Sequence, residues 1–88
     1  MQWVLSVQYE KKSIRLLAKQ IYCSPEIELI KIAGRNRSVT LQSNRPFYKA
    51  RGLKHRRINW KLIDGTISNG KLLELIIKNV ELHLREME

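Results

Sequence analysis

The clearest pattern in the chain is NGKLLELIIKNVELHLRE, residues 69–86. Its apolar side chains recur at intervals of three and four residues, a spacing that places them on one side of an α-helix. They are Leu72, Leu73, Ile76, Ile77, Val80 and Leu84, continued beyond the quoted stretch by Met87. Asn69 can cap the first turn, because an Asn side chain accepts hydrogen bonds from the free backbone N–H groups there. The sequence therefore predicts a long C-terminal amphipathic helix.

Three β-strands are predicted before this helix. Residues 26–33 and 38–43 are rich in β-branched and aliphatic side chains, and the Gly34-Arg35-Asn36-Arg37 segment between them favours a turn. Residues 57–63 place Ile58, Trp60 and Leu62 on one side, which is the two-residue period of a strand. We expect a β-hairpin followed by a third strand that ends at Asp64-Gly65.

The N-terminal third predicts one more strand and a second helix. Residues 2–10 alternate, with Trp3, Leu5, Val7 and Tyr9 on one face. From Ser13 the period changes, because Ile14, Leu17, Ala18 and Ile21 follow helical spacing, and Ser24-Pro25 ends that pattern. The predicted order is β-α-β-β-β-α, a small single α+β domain spanning residues 1–88, in which the C-terminal helix packs on one face of an antiparallel sheet.

Positive charge is concentrated in the middle of the chain. The net charge is +9, and residues 29–63 contain ten Lys or Arg and no Asp or Glu. Such a segment predicts a polyanionic partner, and nucleic acid is the favoured one. The residues expected to contact it are Arg35, Arg37, Arg45, Lys49, Arg51, Lys54, Arg56, Arg57 and Lys61, with Tyr48 as an aromatic platform for bases.

Most of these residues fall in a long basic connection, residues 44–56, which contains Pro46 and Gly52 and has neither a helical nor a strand period. We expect a loop with a single turn of helix, and loops of this length often carry function. Phe47 and Tyr48 follow the proline, and two interpretations stand equally: a plug beneath the loop, or a stacking surface for bases.

Two other functions fit the same residues. One is a protein-interaction domain whose basic face docks on an acidic partner. Leu75 and Leu82 lie outside the main apolar stripe of the helix, and burying them requires contact with the first strand or with a second copy in a homodimer. The other is a small metal-independent ribonuclease of toxin type, in which His55 acts as a general base beside Lys54 and Arg56. A non-catalytic nucleic-acid-binding domain remains the favoured interpretation.

Several kinds of site are not expected. Cys23 is the single cysteine, and with His55 and His83 far apart it forms no zinc-binding pattern. No nucleotide-binding glycine motif occurs, so no cofactor is predicted, and Glu26 and Glu28 are expected to be solvated. No apolar run approaches the length of a membrane span, and a lone cysteine favours a reducing, cytoplasmic location without membrane contact.

The predicted αβββα order that follows the first strand is similar to that of double-stranded-RNA-binding domains. In that family the second helix begins with a cluster of lysines that bridges phosphates, whereas Ser68-Asn69-Gly70-Lys71 has one lysine. The resemblance rests on element order alone, and the sequence leaves open whether DNA or RNA, single-stranded or double-stranded, is the partner. A three-stranded sheet backed by a C-terminal helix also occurs in DNA readers that lay strands in the major groove.

Overall fold

The computed structural model describes residues 2–35, 37–53 and 57–86, and its centre is a five-stranded antiparallel sheet. The strands are β1 (Gln2–Tyr9), β2 (Lys12–Cys23), β3 (Glu28–Ala33), β4 (Ser38–Ser43) and β5 (Trp60–Asp64), and the helices are α1 (Arg45–Ala50) and α2 (Gly70–Glu86). Each strand pairs with the next one along the chain, so β1 and β5 form the edges of the sheet. The predicted fold class, an α+β fold with a C-terminal amphipathic helix on an antiparallel sheet, is confirmed.

The core lies between α2 and one face of the sheet, called here the covered face. Its buried apolar side chains are Trp3, Leu5, Val7, Ala18, Ile30, Ile32, Val39 and Leu41 from the strands, and Ile76, Val80 and Leu84 from α2. Asn69 caps α2 as predicted, because its Oδ1 accepts the backbone N–H groups of Lys71 at 3.0 Å and Leu72 at 3.2 Å. Neither described helix is long and apolar enough to span a membrane.

The structure corrects the second predicted element. Residues 13–21 lie within β2, the second strand of the sheet, and not in a helix. Ile14, Leu16 and Ala18 point to the covered face, whereas Leu17 is 41% exposed. Over so few residues the same apolar positions fit both a helical and a strand period. Pairing with both β1 and β3 favours the strand. The element order after β1 therefore differs from that of double-stranded-RNA-binding domains.

A two-residue turn joins β1 to β2. Glu10 and Lys11 both have positive φ, 48° and 64°, and Tyr9 pairs with Lys12 across them. This is the geometry of a type I′ hairpin, which sequences usually mark with Asn-Gly. Here neither residue is Asn or Gly, so the turn carried no signal in the sequence.

The remaining predictions agree with the structure to within a few residues. The β3–β4 hairpin and β5 are present, and the connection after β4 contains one short helix, α1, with Pro46 in its first turn. His83, on α2, packs against β1, with its ring stacked on Trp3 at a centroid distance of 4.7 Å. Leu75 is half-buried, and Leu82 stays 56% exposed on the outer side of α2.

Candidate nucleic-acid interface

The structure does not bring the ten predicted contact residues together. Arg35 and Arg37 lie at the exposed tip of the β3–β4 hairpin, while α1 follows the opposite end of β4. Six-residue strands separate these two ends by roughly 17 Å. Lys49, Arg51, Tyr48 and Arg45 belong to α1 and its C-terminal end, Arg57 precedes β5, and Lys61 lies on β5. Lys54, Arg56 and the candidate base His55 lie outside the described residues.

Arg45 takes part in a buried network centred on Glu28. Its Nε donates to Glu28 Oε2 at 2.7 Å and its terminal nitrogen donates to Oε1 at 2.9 Å. Ser43 Oγ donates to the same carboxylate at 2.7 Å, and Gln20 Nε2 donates at 3.0 Å. Glu28 is fully buried, so the expectation that it is solvated is wrong, whereas Glu26 is exposed as expected.

This network keeps a buried carboxylate charged. Burial alone raises the pKa of Glu28, but the hydrogen bonds from Arg45, Ser43 and Gln20 and the positive charge of Arg45 favour the ionised form. The net result is a pKa below the ordinary value for a glutamate. Through this ion pair Arg45 links the start of α1 to β3, so one of the predicted contact residues has a structural role.

A cleft of about 960 Å³ lies between α1, β5 and one side of α2. Four of the ten predicted contact residues line it from one side, namely Arg45, Tyr48, Lys49 and Arg57, and Lys78 and Arg85 line it from α2. Glu74 and Glu81 also line it, so its charge is mixed. Trp60 is half-buried and its indole Nε1 donates to Glu81 Oε1 at 2.6 Å, which agrees with its prediction as a strand residue of the core.

The aromatic residues of α1 contact one another and a cation. The rings of Phe47 and Tyr48 meet edge to face with centroids 5.6 Å apart, and the Arg51 guanidinium lies 3.8 Å from the centre of the Phe47 ring. Both rings are half-buried, between the two alternatives that the sequence left open. The Arg51 guanidinium covers one face of the Phe47 ring. Of the two aromatic residues of α1, Tyr48 is the one that lines the cleft.

The face of the sheet opposite α2, called here the open face, is basic. Alternation along the strands and the pairing between them assign to it the cations Arg15, Lys19, Lys31 and Lys61, all of which are exposed. Among the described residues its acidic side chain is Asp64, at the end of the edge strand β5. The acidic residues of α2, Glu74, Glu81 and Glu86, lie on the other side of the molecule.

Two of these lysines are direct neighbours. Lys19 on β2 is the cross-strand partner of Lys31 on β3. Side chains in such pairs have Cβ atoms about 5 Å apart, and like charges at that distance repel. Lys61 lies two strands from Lys31 and one row further along the sheet, opposite Gln42. The open face therefore concentrates positive charge at a cost in stability, which a bound anion would relieve.

Three of the four cations on this face, Arg15, Lys19 and Lys31, were not among the contact residues predicted from the sequence. Arg15 and Lys19 fall in the segment predicted as a helix, and the correction of β2 from helix to strand moves them to the face that carries Lys31. Residues two apart in a strand lie on the same face, so reading residues 12–23 as a strand would have grouped Arg15, Leu17 and Lys19 on one face of the β1–β2 hairpin.

Comparisons with protein-family models, with curated proteins and with solved structures found no match to this chain. Within the described residues, no three His, Cys, Asp or Glu side chains come together as ligands for a metal ion.

Proposed function

We propose that this chain is a nucleic-acid-binding domain without catalytic activity and that it binds through the open face. The observation that carries the proposal is that Asp64 is the acidic side chain of the described open face, whereas on α2 Lys71, Lys78 and Arg85 alternate with Glu74, Glu81 and Glu86. Arg15, Lys19, Lys31 and Lys61 project from the open face, while the acids of α2 lie behind it. Lysine and arginine side chains on such a face neutralise phosphates and release counterions, which supplies most of the affinity for nucleic acid.

The spacing of these cations suits a duplex. Lys19 on β2 and Lys61 on β5 are separated by three strand spacings, about 14 Å. The major groove of B-DNA is about 12 Å wide and admits β-strands. In this arrangement β3 and β4 lie over the groove, and the lysines of β2 and β5 reach the phosphates on either side. Gln42, on β4 between these two lysines, offers an amide group to base edges.

Single strands are the less favoured partner. Sheet surfaces that bind them stack successive bases on several aromatic rings. In the described part of the open face, the aromatic side chain is Tyr22, at the end of β2 beyond its bulge. Phosphate contacts with a duplex therefore account for this surface better than base stacking does.

Fluorescence anisotropy with matched variants tests the proposal. The first variant combines Lys19→Gln, Lys31→Gln and Lys61→Gln, and the control combines Lys71→Gln, Lys78→Gln and Arg85→Gln, which removes the same charge from α2. We expect the open-face variant to bind labelled duplex DNA or RNA at least about tenfold more weakly and to reduce the slope of log K against log salt by roughly 2 to 3. The control should stay close to the unsubstituted protein.

The same titration distinguishes the rival functions. Equal losses in the two variants would show that net charge alone governs binding, and the open face would not be a site. If no nucleic acid binds at about 200 mM salt, the proposal fails, and an acidic protein becomes the partner to search for. Single-stranded RNA that binds more tightly than either duplex would overturn the assignment to duplexes.

A further inference from the structure

The two edges of the sheet are protected to different degrees. β5 is five residues long, contains Lys61 and Asp64, and has a bulge at Ile63, where the register shifts between Thr40 and Leu41. Short length, charge and bulges are the features that prevent an edge strand from pairing with another chain. β1, by contrast, extends over Gln2–Tyr9 without a charge, a proline or a bulge.

The backbone of β1 has an outward set of hydrogen-bonding groups. In a two-residue hairpin the residues flanking the turn exchange both of their hydrogen bonds, so Tyr9 and every second residue before it face β2. The N–H and C=O groups of Gln2, Val4, Ser6 and Gln8 then point away from the sheet. Apart from the β1–β2 ladder, no hydrogen bond among the described residues involves these backbone groups.

We propose that a second copy of this chain pairs with β1, so that two protomers form a continuous ten-stranded antiparallel sheet. A two-fold axis through Leu5 sets Leu5 opposite Leu5 of the partner, Val4 opposite Ser6 and Gln2 opposite Gln8. This register brings all four outward residues into hydrogen-bonded pairs, and no other two-fold register uses the whole of Gln2–Gln8. The strand is therefore complementary to itself.

Electrostatics favours this edge over the basic open face for self-association. The chain carries a net charge of +9, so contacts between two copies generally bring like charges together. The β1 edge is neutral, and the proposed register places Gln beside Gln and Val beside Ser. Because the two-fold axis is perpendicular to the sheet, both open faces lie on the same side of the dimer. The dimer forms without nucleic acid, so it is independent of nucleic-acid binding by the open face.

Sedimentation equilibrium of the full chain without nucleic acid tests the pairing. We expect a species of twice the chain mass at concentrations up to about 100 µM, where mass action favours dimers. Val4→Lys should raise the dissociation constant at least about tenfold, since a lysine on an edge strand opposes pairing. Leu17→Lys makes the same change on β2, next to Val4 but away from the edge, and should leave the dimer intact.

Two further variants distinguish pairing through β1 from association through α2. Ser6→Pro removes one outward N–H and should also dissociate the dimer, and a thermal melt shows whether the protomer remains folded. Leu82→Glu changes the exposed leucine of α2 and should have no effect. A monomer at every concentration, or a dimer that dissociates with Leu82→Glu and persists with Val4→Lys, would overturn the proposal.

Cross-linking tests the register. Chains carrying Val4→Cys and chains carrying Ser6→Cys, both with Cys23→Ser, are mixed and oxidised in air. A hydrogen-bonded antiparallel pair has Cα atoms about 5.5 Å apart, which a disulfide spans. We expect covalent dimer in the mixture and little with either chain alone. Equal cross-linking in all three samples would contradict the register centred on Leu5.

Discussion

The two faces of the same sheet are built from different chemistry. On the covered face, strand side chains such as Leu41 and Ile30 are fully buried beneath α2, and the buried carboxylate of Glu28 is held by Arg45, Ser43 and Gln20. The open face carries separate cations and partly exposed apolar residues such as Leu17. Substitutions on the covered face should therefore change the free energy of unfolding, and those on the open face should change binding.

The largest effect is expected at the buried carboxylate. Glu28→Ala removes the buried carboxylate that Arg45 contacts and should cost about 3 to 5 kcal/mol of the free energy of unfolding, as removal of one member of a buried ion pair does. Urea unfolding measures this loss. Glu26→Ala removes an exposed glutamate from the loop before β3 and serves as the control, with a change within about 0.5 kcal/mol.

The same carboxylate makes stability depend on pH. Because the folded pKa of Glu28 is lowered, its contribution is fully present above the pKa of the unfolded side chain and is lost as the pH falls through the folded pKa. The difference in unfolding free energy between the unsubstituted protein and Glu28→Gln should therefore shrink from pH 7 towards pH 3. A constant difference over that range would show that the ionised form of Glu28 is not the stabilising one.

A leucine pair compares the faces directly. Leu41→Ala on the covered face should cost about 3 kcal/mol, because it leaves a cavity beneath α2. Leu17→Ala on the open face should cost less than about 1 kcal/mol, since that side chain is already partly in water. Chemical denaturation of both variants measures the two losses, and similar values would mean that the open face is covered by something in solution.

The turn between β1 and β2 determines which side chains reach which face, because a slip of one residue would exchange them. Lys11→Gly should stabilise the protein by about 1 kcal/mol, since φ there is 64° and glycine adopts positive φ without strain. A rise in Tm of roughly 4 to 8 °C is expected for a domain of this size. Lys12→Gly, one residue later within β2, should lower Tm instead.

The smallest effect is expected for Lys19→Gln, which should raise stability but weaken binding. Lys19→Gln removes the repulsion between Lys19 and Lys31 and should raise the unfolding free energy by about 0.2 to 0.5 kcal/mol. The same change should weaken duplex binding and lower the salt slope by about 1. Thermal melts and anisotropy on one preparation measure both. A variant that loses stability and affinity together would indicate a structural role for Lys19.

Local patterns were sufficient for much of this fold. α2, the β3–β4 hairpin and β1 were predictable because each has a clear period, and for the first two a cap or a turn signal adds to it, as Asn69 and Gly34 illustrate. β2 was not, because Ile14, Leu17, Ala18 and Ile21 also fit a helix and the Glu10-Lys11 turn lacks the usual residues. The neighbouring strands, which the local sequence does not contain, determine its structure.

The candidate site was less predictable than the fold. Concentration of charge in residues 29–63 pointed to Lys61, which does lie on the open face, while Lys31 lies in the same segment but was not among the predicted contact residues. It could not separate Lys61 from Arg45, because the contact of Arg45 with Glu28, seventeen residues away, forms only on folding. Arg15 and Lys19 lie in a nearly neutral segment and reach the open face only through the register of β2.

An NMR titration tests the central proposal most directly. Amide chemical shifts of the protein are followed while a short DNA or RNA duplex is added, and each perturbed residue is assigned to a face. We expect the largest shifts at Arg15, Lys19, Lys31 and Lys61 on the open face, with little change along α2. Shifts confined to the cleft around Tyr48, Lys78 and Arg85 would contradict the assignment and move the binding surface to the other side of the molecule.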